Sequence, residues 1–181
     1  MNPHQPLEQT QHDWLSVFRL RRLLTMLLCT AAVTGLAGCS TYQSAKNLLF
    51  PPGEKLNWSE LGFLVEPLVN ENSPVAVDLV LVRDALLVPR LDKLSAQQWF
   101  FQKASLQQAA PDDLVIRSWE LTPGDSLRVL QKDLPTERAL RVFLFTGYRS
   151  PGDHRLTLDP LAPRVLIDFG PSQAVRQGVP R

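Results

Sequence analysis

Beyond residue 38 the chain carries one histidine and one cysteine, so its scope for acid–base, nucleophilic or metal chemistry is narrow. His154 follows Asp153 in a Gly-Asp-His turn. A carboxylate beside an imidazole can orient a general base, but a triad also needs a nucleophile, and a zinc site needs three or four ligands. No second histidine follows, so His154 reads as a solvated loop residue. Asp112-Asp113 is a paired carboxylate that reads as the polar start of a strand, because no polar pocket is indicated around it. Asp153, Asp159 and Asp168 lack the tight spacing of a calcium loop. There is no nucleophile elbow Gly-x-Ser-x-Gly, no phosphate loop and no Gly-x-Gly-x-x-Gly. The expectation is a protein that is not an enzyme and holds no cofactor and no metal.

The thiol of Cys39 has a different prospect. Arg19, Arg21 and Arg22 precede a charge-free run that ends in Leu36-Ala37-Gly38-Cys39, the order of a secretory signal: basic start, apolar middle, small-residue cleavage point. The sequence Leu36-Ala37-Gly38-Cys39 resembles a bacterial lipobox, in which the cysteine is diacylated, the chain is cut before it and the new amino terminus is acylated. Each buried methylene of those chains adds roughly 0.8 kcal/mol of membrane affinity, so several chains anchor firmly. A transmembrane helix is the competing reading. From Leu23 to Gly38 there are only 16 residues, interrupted by Thr25, Thr30, Thr34 and two glycines, short of the ~20 apolar residues a span requires. Ser40 follows the cysteine; in enterobacterial-type lipoproteins an aspartate there usually signals inner-membrane retention, so its absence favours the outer membrane. The 18 residues before Arg19 read as a long leader or as a start codon placed too early.

Cleavage before Cys39 leaves 143 residues, enough for one core and too few for two comfortable domains. It removes Arg19, Arg21 and Arg22 together with Glu8 and Asp13, leaving 16 basic and 16 acidic residues. That balance, with no basic block, gives no sign of nucleic acid as a partner. Cys29 leaves with the signal and Cys39 is acylated, so no disulfide is expected even in an oxidising compartment. Thirteen of the 15 prolines fall after residue 50 and divide the body into short elements.

The segments expected from this pattern are a signal with extended leader over 1–38, an acylated tether over 39–59, a β-sandwich domain over 60–170 and a ragged tail over 171–181. Residues 60–69 read as a first strand, with Pro67 arguing for an edge position or a bulge. Asn70-Glu71-Asn72-Ser73-Pro74 is a turn cluster. Residues 75–82 form the clearest strand, with Val75, Val77, Leu79 and Leu81 on one face. Residues 83–94 are ambiguous around Pro89. A short helix is expected near 95–108, because Ser95 and Gln98 have capping-box spacing and Ala96, Trp99, Phe100 and Lys103 follow the helical period; it ends before Pro111. Strands are expected at 114–121 and 126–131, joined as a hairpin by Thr122-Pro123-Gly124-Asp125. The strand around 137–148 is too apolar at its centre to be exposed on both faces, and 155–158 and 164–169 read as the last strands. Seven or so short strands with one helix indicate a mainly β fold, a β-sandwich with a short helical insertion.

In this order the chain resembles the outer-membrane lipoproteins of the bacterial type VI secretion system, the TssJ/SciN/VasD family, from the lipobox to about Phe169. The resemblance rests on residues 70–77, similar to that family's asparagine-containing first loop and its small-Pro-Val entry to the second strand. It continues through Leu114, Leu121-Thr122-Pro123-Gly124 and the apolar 140–148 strand. The loop lacks the longer Gly-Arg segment common before the Ser-Pro pair, and Asp78-Leu79-Val80 stands where a basic residue and an aromatic often occur.

The resemblance implies a transthyretin-like β-sandwich with an added helix, no enzymatic activity, and an outer-membrane, lipid-anchored domain facing the periplasm. The implied partner is the periplasmic C-terminal region of a TssM-like inner-membrane subunit, contacted through Asn70, Glu71, Asn72 and Ser73; a TssL-like subunit is a further candidate member of the complex. The rival is a solitary envelope lipoprotein that binds a small ligand or peptidoglycan, which a polar cavity inside the sandwich would favour. Trp58, Trp99 and Trp119 are not sorted between core and interface by sequence, although Trp99 has the spacing of a core contact.

Overall fold

A computed structural model describes residues 53–178. The export signal, the lipobox with Cys39 and the tether as far as residue 52 lie outside the described residues.

The described chain forms β1 (Glu60–Val65), β2 (Val75–Val82), a four-residue helix α1 (Val88–Leu91), α2 (Ala96–Ala109), β3 (Leu114–Leu121), β4 (Ser126–Leu130), β5 (Arg141–Thr146), β6 (Arg155–Leu158), β7 (Val165–Phe169) and β8 (Ala174–Arg176). They build two four-stranded sheets, ordered β4-β1-β7-β8 and β3-β2-β5-β6. The second sheet is antiparallel throughout; in the first, β1 and β7 run parallel. The fold is a mainly β sandwich with a helical insertion.

Between the sheets lies the larger core. The period-two set Val75, Val77, Leu79 and Leu81 faces it, against Leu61 and Phe63 of β1 and Val165, Ile167 and Phe169 of β7, all with essentially no exposed surface. Phe63 sits edge-on to both Trp119 and Phe169, with centroids 5.5 Å apart in each pair, an arrangement that suits the ring quadrupoles. The tryptophans now sort themselves. Trp58 is fully buried, its indole N–H donating to the Asp159 carbonyl at 2.7 Å, and Trp119 packs half-buried at the rim of this core.

The helical insertion covers the other face of the second sheet. Ser95 caps α2: its hydroxyl accepts the Gln98 N–H, and the Gln98 side chain accepts the Ser95 N–H, satisfying two of the helix's unpaired donors. The helix ends at Ala110, where the following Pro111 disfavours the helical region for the residue before it. Its buried side packs Ala96, Trp99 and Leu106 on Val80, Val82, Phe143 and Phe145. Trp99 stacks on Phe145 at 4.8 Å and 10°. Phe100 joins this contact half-buried, whereas Phe101 points outward, 88% exposed.

Asp78 lies under that helix, 1% exposed, in the middle of β2. Its carboxylate accepts the Trp99 indole N–H at 2.8 Å, the Lys103 ammonium at 2.9 Å and the Ser118 hydroxyl at 2.6 Å. A buried charge is tolerable because it is paired and hydrogen-bonded on both oxygens, and its partners tie the helix to β2 and β3.

Four sequence expectations are corrected. First, β3 and β4 are not a hairpin: Leu121 pairs with Val75 in one sheet and Ser126 with Leu64 in the other. The Pro123-Gly124 pair, with Gly124 at φ +79° and the Asp125 N–H reaching the Thr122 carbonyl, has the signature of a type II turn. Such a turn splays flanking strands, where hairpins use types I′ and II′, so the chain passes from sheet to sheet. Second, β1 stops at Val65 and lies inside its sheet, with Pro67 in the turn beyond it. Third, the packed body starts before Glu60: Glu54 bridges Ala139, and the N–H groups of Asn57 and Ser59 bond to the Pro160 and Pro163 carbonyls. Fourth, the stretch expected as a ragged tail contains β8, paired with β7.

Candidate functional site

Four connections meet where β1 ends and β2 begins: 66–74, 122–125, 147–154 and 170–173. Backbone bonds lace them together. Val65 N–H donates to Asp125 O at 3.1 Å, Gly124 N–H to Glu66 O at 3.3 Å, Asn70 N–H to Pro171 O at 2.9 Å and Gly147 N–H to Ala76 O at 2.7 Å. Ser150 Oγ adds a bond to the Ser172 carbonyl at 2.6 Å.

Asn70 is the centre of this lacing, at 3% exposure. Its amide nitrogen donates to the Pro74 carbonyl at 2.9 Å, and its amide oxygen accepts the Arg149 N–H at 2.7 Å. Asn70, Glu71 and Asn72 occupy left-handed conformations in succession, with φ of 48°, 58° and 56°. Asparagine visits that region more readily than other side-chain-bearing residues, which explains why two of the three are Asn. The short segment therefore turns sharply and lifts Leu68, Glu71 and Asn72 outward: Leu68 is 69% exposed, Glu71 and Asn72 are exposed, and Ser73 is half-buried. Glu66, Asp125 and Arg149 are exposed on the same pole.

Behind the loops Tyr148 stacks between His154, at 5.1 Å, and Phe169, at 6.4 Å, and its hydroxyl donates to Gly170 O at 3.1 Å. Burial, reinforced by the Glu66 carboxylate, pushes the phenol well above its ordinary value near 10. The folded state thus holds its proton where the unfolded chain releases it, so Tyr148 opposes unfolding less as pH rises past about 10. Tyr148→Phe is expected to flatten the alkaline fall in stability while costing about 1 kcal/mol at neutral pH for the lost hydrogen bond; urea unfolding at pH 7 and above pH 10 measures both.

His154 has a positive φ of 46°, and its Nε2 donates to the Ser150 carbonyl at 2.7 Å, closing the 150–154 turn. It positions a loop. Asp112 is exposed and Asp113 half-buried in the turn before β3, where their carbonyls accept the Arg83 guanidinium and backbone N–H. Among the described residues no group of three or more His, Cys, Asp and Glu is gathered for a metal ion. The described chain begins at the far end of the sandwich, where the Arg138 guanidinium donates to Gly53 O at 2.8 Å.

No family model and no curated protein matches the sequence. Among solved structures the chain is similar to the type VI secretion lipoprotein TssJ1 of Pseudomonas aeruginosa, at 18% identity over 67% of this chain and 96% of that one, with a TM-score of 0.45. It is similar to Serratia marcescens Lip, described as a membrane-bound component of the type VI secretion system, at 17% identity over 67% and 96%, with a TM-score of 0.46. A third match is a chain in a structure described as the TssM C-terminal domain from EAEC, at 18% identity over 66% and 97%, with a TM-score of 0.48. The likeness is structural. Each is a loose match in backbone arrangement, and the function of this chain has to be argued from its own residues.

Of the loop residues singled out by sequence, Asn70 is turned inward, and Glu71, Asn72 and Ser73 remain accessible. Sequence reading missed Leu68, whose signal was an aliphatic residue placed after Pro67 in a polar loop. The 149–154 loop is a neighbour that sequence allows only if the topology brings it to this pole, and the Arg149 N–H bond to Asn70, far away in the chain, shows that it does.

Proposed function

We propose that this chain is an outer-membrane lipoprotein anchored through acylated Cys39, with its domain in the periplasm, and that its loop pole docks the periplasmic C-terminal region of a TssM-like subunit of a type VI secretion membrane complex. The observation that carries this reading is the pole itself: four connections laced by hydrogen bonds, three of them joined through Asn70, at the end of the sandwich remote from Gly53. A tether of 13 residues between Cys39 and Gly53 extends at most ~45 Å, and it enters the body where it leaves that pole free. A loop held by a rigid scaffold suits recognition because little ordering remains to be done on binding.

Leu68 offers the apolar anchor. Glu66, Glu71 and Asp125 outnumber Arg149 around it, so the partner surface is expected to be an apolar pocket rimmed by Lys or Arg, with association that slows as salt rises. The assignment to type VI secretion rests on the lipobox followed by the 70–77 loop and strand motif in the order described above. The rival ligand-binding reading wants a polar cavity inside the sandwich, whereas the side chains between the sheets are aliphatic and aromatic, which supports docking. No catalytic role is proposed, since the pole's one histidine closes a turn.

The test is to purify the acylated protein from its own cells under mild detergent and identify what stays bound. A TssM-like subunit, with a TssL-like subunit behind it, is the expected result; a glycan strand or no partner at all would overturn the reading.

A further inference from the structure

The outward face of the β4-β1-β7-β8 sheet is covered by no helix among the described residues, and it holds a groove of about 470 Å³ beside Glu60. Glu60 is a buried carboxylate at the first position of β1, with 7% of its side chain exposed. Each of its oxygens faces one arginine: Oε2 accepts the Arg128 Nε–H, and Oε1 forms an ion pair with Arg164 Nε at 2.6 Å. One carboxylate against two guanidiniums leaves a local charge of +1. Because both arginines use Nε, their terminal nitrogens stay free for another acceptor; their side chains are 70% and 52% exposed, and among the described residues no other acceptor meets those nitrogens.

The floor between them is Gly62, which pairs with Arg128 on one side and Leu166 on the other. A Cβ at Gly62 would come within 2.6 Å of the Leu166 side chain, so the glycine keeps the groove open to backbone. Two guanidiniums flanking one carboxylate beside this floor offer planar N–H donors of the kind that suits the oxygens of a phosphodiester, where arginine surpasses lysine. Leu130, which pairs with Glu60 in the register, adds an apolar group beside the forks at 40% exposure.

The position of the groove selects the occupant. Glu60 and Arg164 lie at the same end as Gly53, where the tether from Cys39 enters, and a second carboxylate of this sheet, Asp168, lies at the opposite end and is held by Gln177. We propose that the Arg128, Glu60 and Arg164 groove seats the phosphate of an anionic phospholipid headgroup in the membrane that holds Cys39. The body then rests on the lipid by this end, with the loop pole tilted away. This inference builds on acylation of Cys39.

The acylated protein, its mass checked for the acyl chains, is placed in phosphatidylcholine vesicles with or without phosphatidylglycerol, and hydrogen exchange is followed in peptides covering β4 and the start of β7. Phosphatidylglycerol is expected to slow exchange there several-fold in the parent. Arg128→Gln and Arg164→Gln should each abolish the difference, and each leaves Glu60 paired with the remaining arginine, so the fold is retained and circular dichroism verifies it. Lys132→Gln, nearby but outside the groove, should leave the difference intact. Equal exchange in both vesicles, equal loss with Lys132→Gln, or the same protection from inorganic phosphate over phosphatidylcholine alone would overturn the lipid site. A product without acyl chains would defeat the anchor reading separately, and the exchange comparison with added vesicles would still decide the groove.

Discussion

Asp78→Ala will destabilise the protein by about 3 kcal/mol, visible as a lower urea midpoint and a fall in melting temperature on the order of 10 °C. The substitution removes the acceptor for three donors at once. Lys103 is about one-third exposed and can turn its ammonium to water, so the loss of the ion pair is the smaller part of the effect. The larger part is the Trp99 indole N–H, left without a partner in a site with no exposed surface. An unsatisfied buried donor carries its whole desolvation penalty. Asp78→Asn keeps an acceptor for Trp99 and should lose about half as much. A loss under ~1 kcal/mol for the alanine variant would mean that packing of Trp99 on Phe145, and not the polar network, holds the helix down.

Cys39→Ser is expected to move the protein out of the outer-membrane fraction. On the proposed anchor, the variant lacks the nucleophile that lipid transfer requires, and with it the acyl chains that would each contribute strongly to membrane affinity. Mass spectrometry of the parent should show acylation on Cys39 and none of the preceding 38 residues. Retention of the serine variant in the outer membrane at the parental level would refute the anchor.

The strands were legible because their side chains alternate or run apolar where two faces are covered. β2 shows both signals: odd positions meet the opposite sheet, while Val80 and Val82 meet the helix. Its partners were not legible. The turn at 122–125 carried the information that it splays strands, in Pro123-Gly124, but local periodicity says nothing about which sheet receives the next strand. The period-two pattern puts Asp78 on the face away from Val75, Val77, Leu79 and Leu81 without saying what covers that face; only the packed helix shows that it is buried. In the pole, sequence located the loop and the residue types suited to a tight left-handed turn. It did not divide them into a buried brace, Asn70, and an exposed rim, Glu71 and Asn72, because that division depends on Arg149 arriving from β5.

That division gives the central claim its most direct measurement. The triple variant Leu68→Ser, Glu71→Ala, Asn72→Ala leaves Asn70 and its bonds untouched, so its melting temperature should stay within a few degrees of the parent. Titration calorimetry of the acylated protein in detergent against the periplasmic C-terminal region of the TssM-like subunit is predicted to show affinity weakened at least tenfold, about 1.4 kcal/mol or more. Parental affinity in the triple variant, or no binding by the parent itself, would contradict docking through this pole.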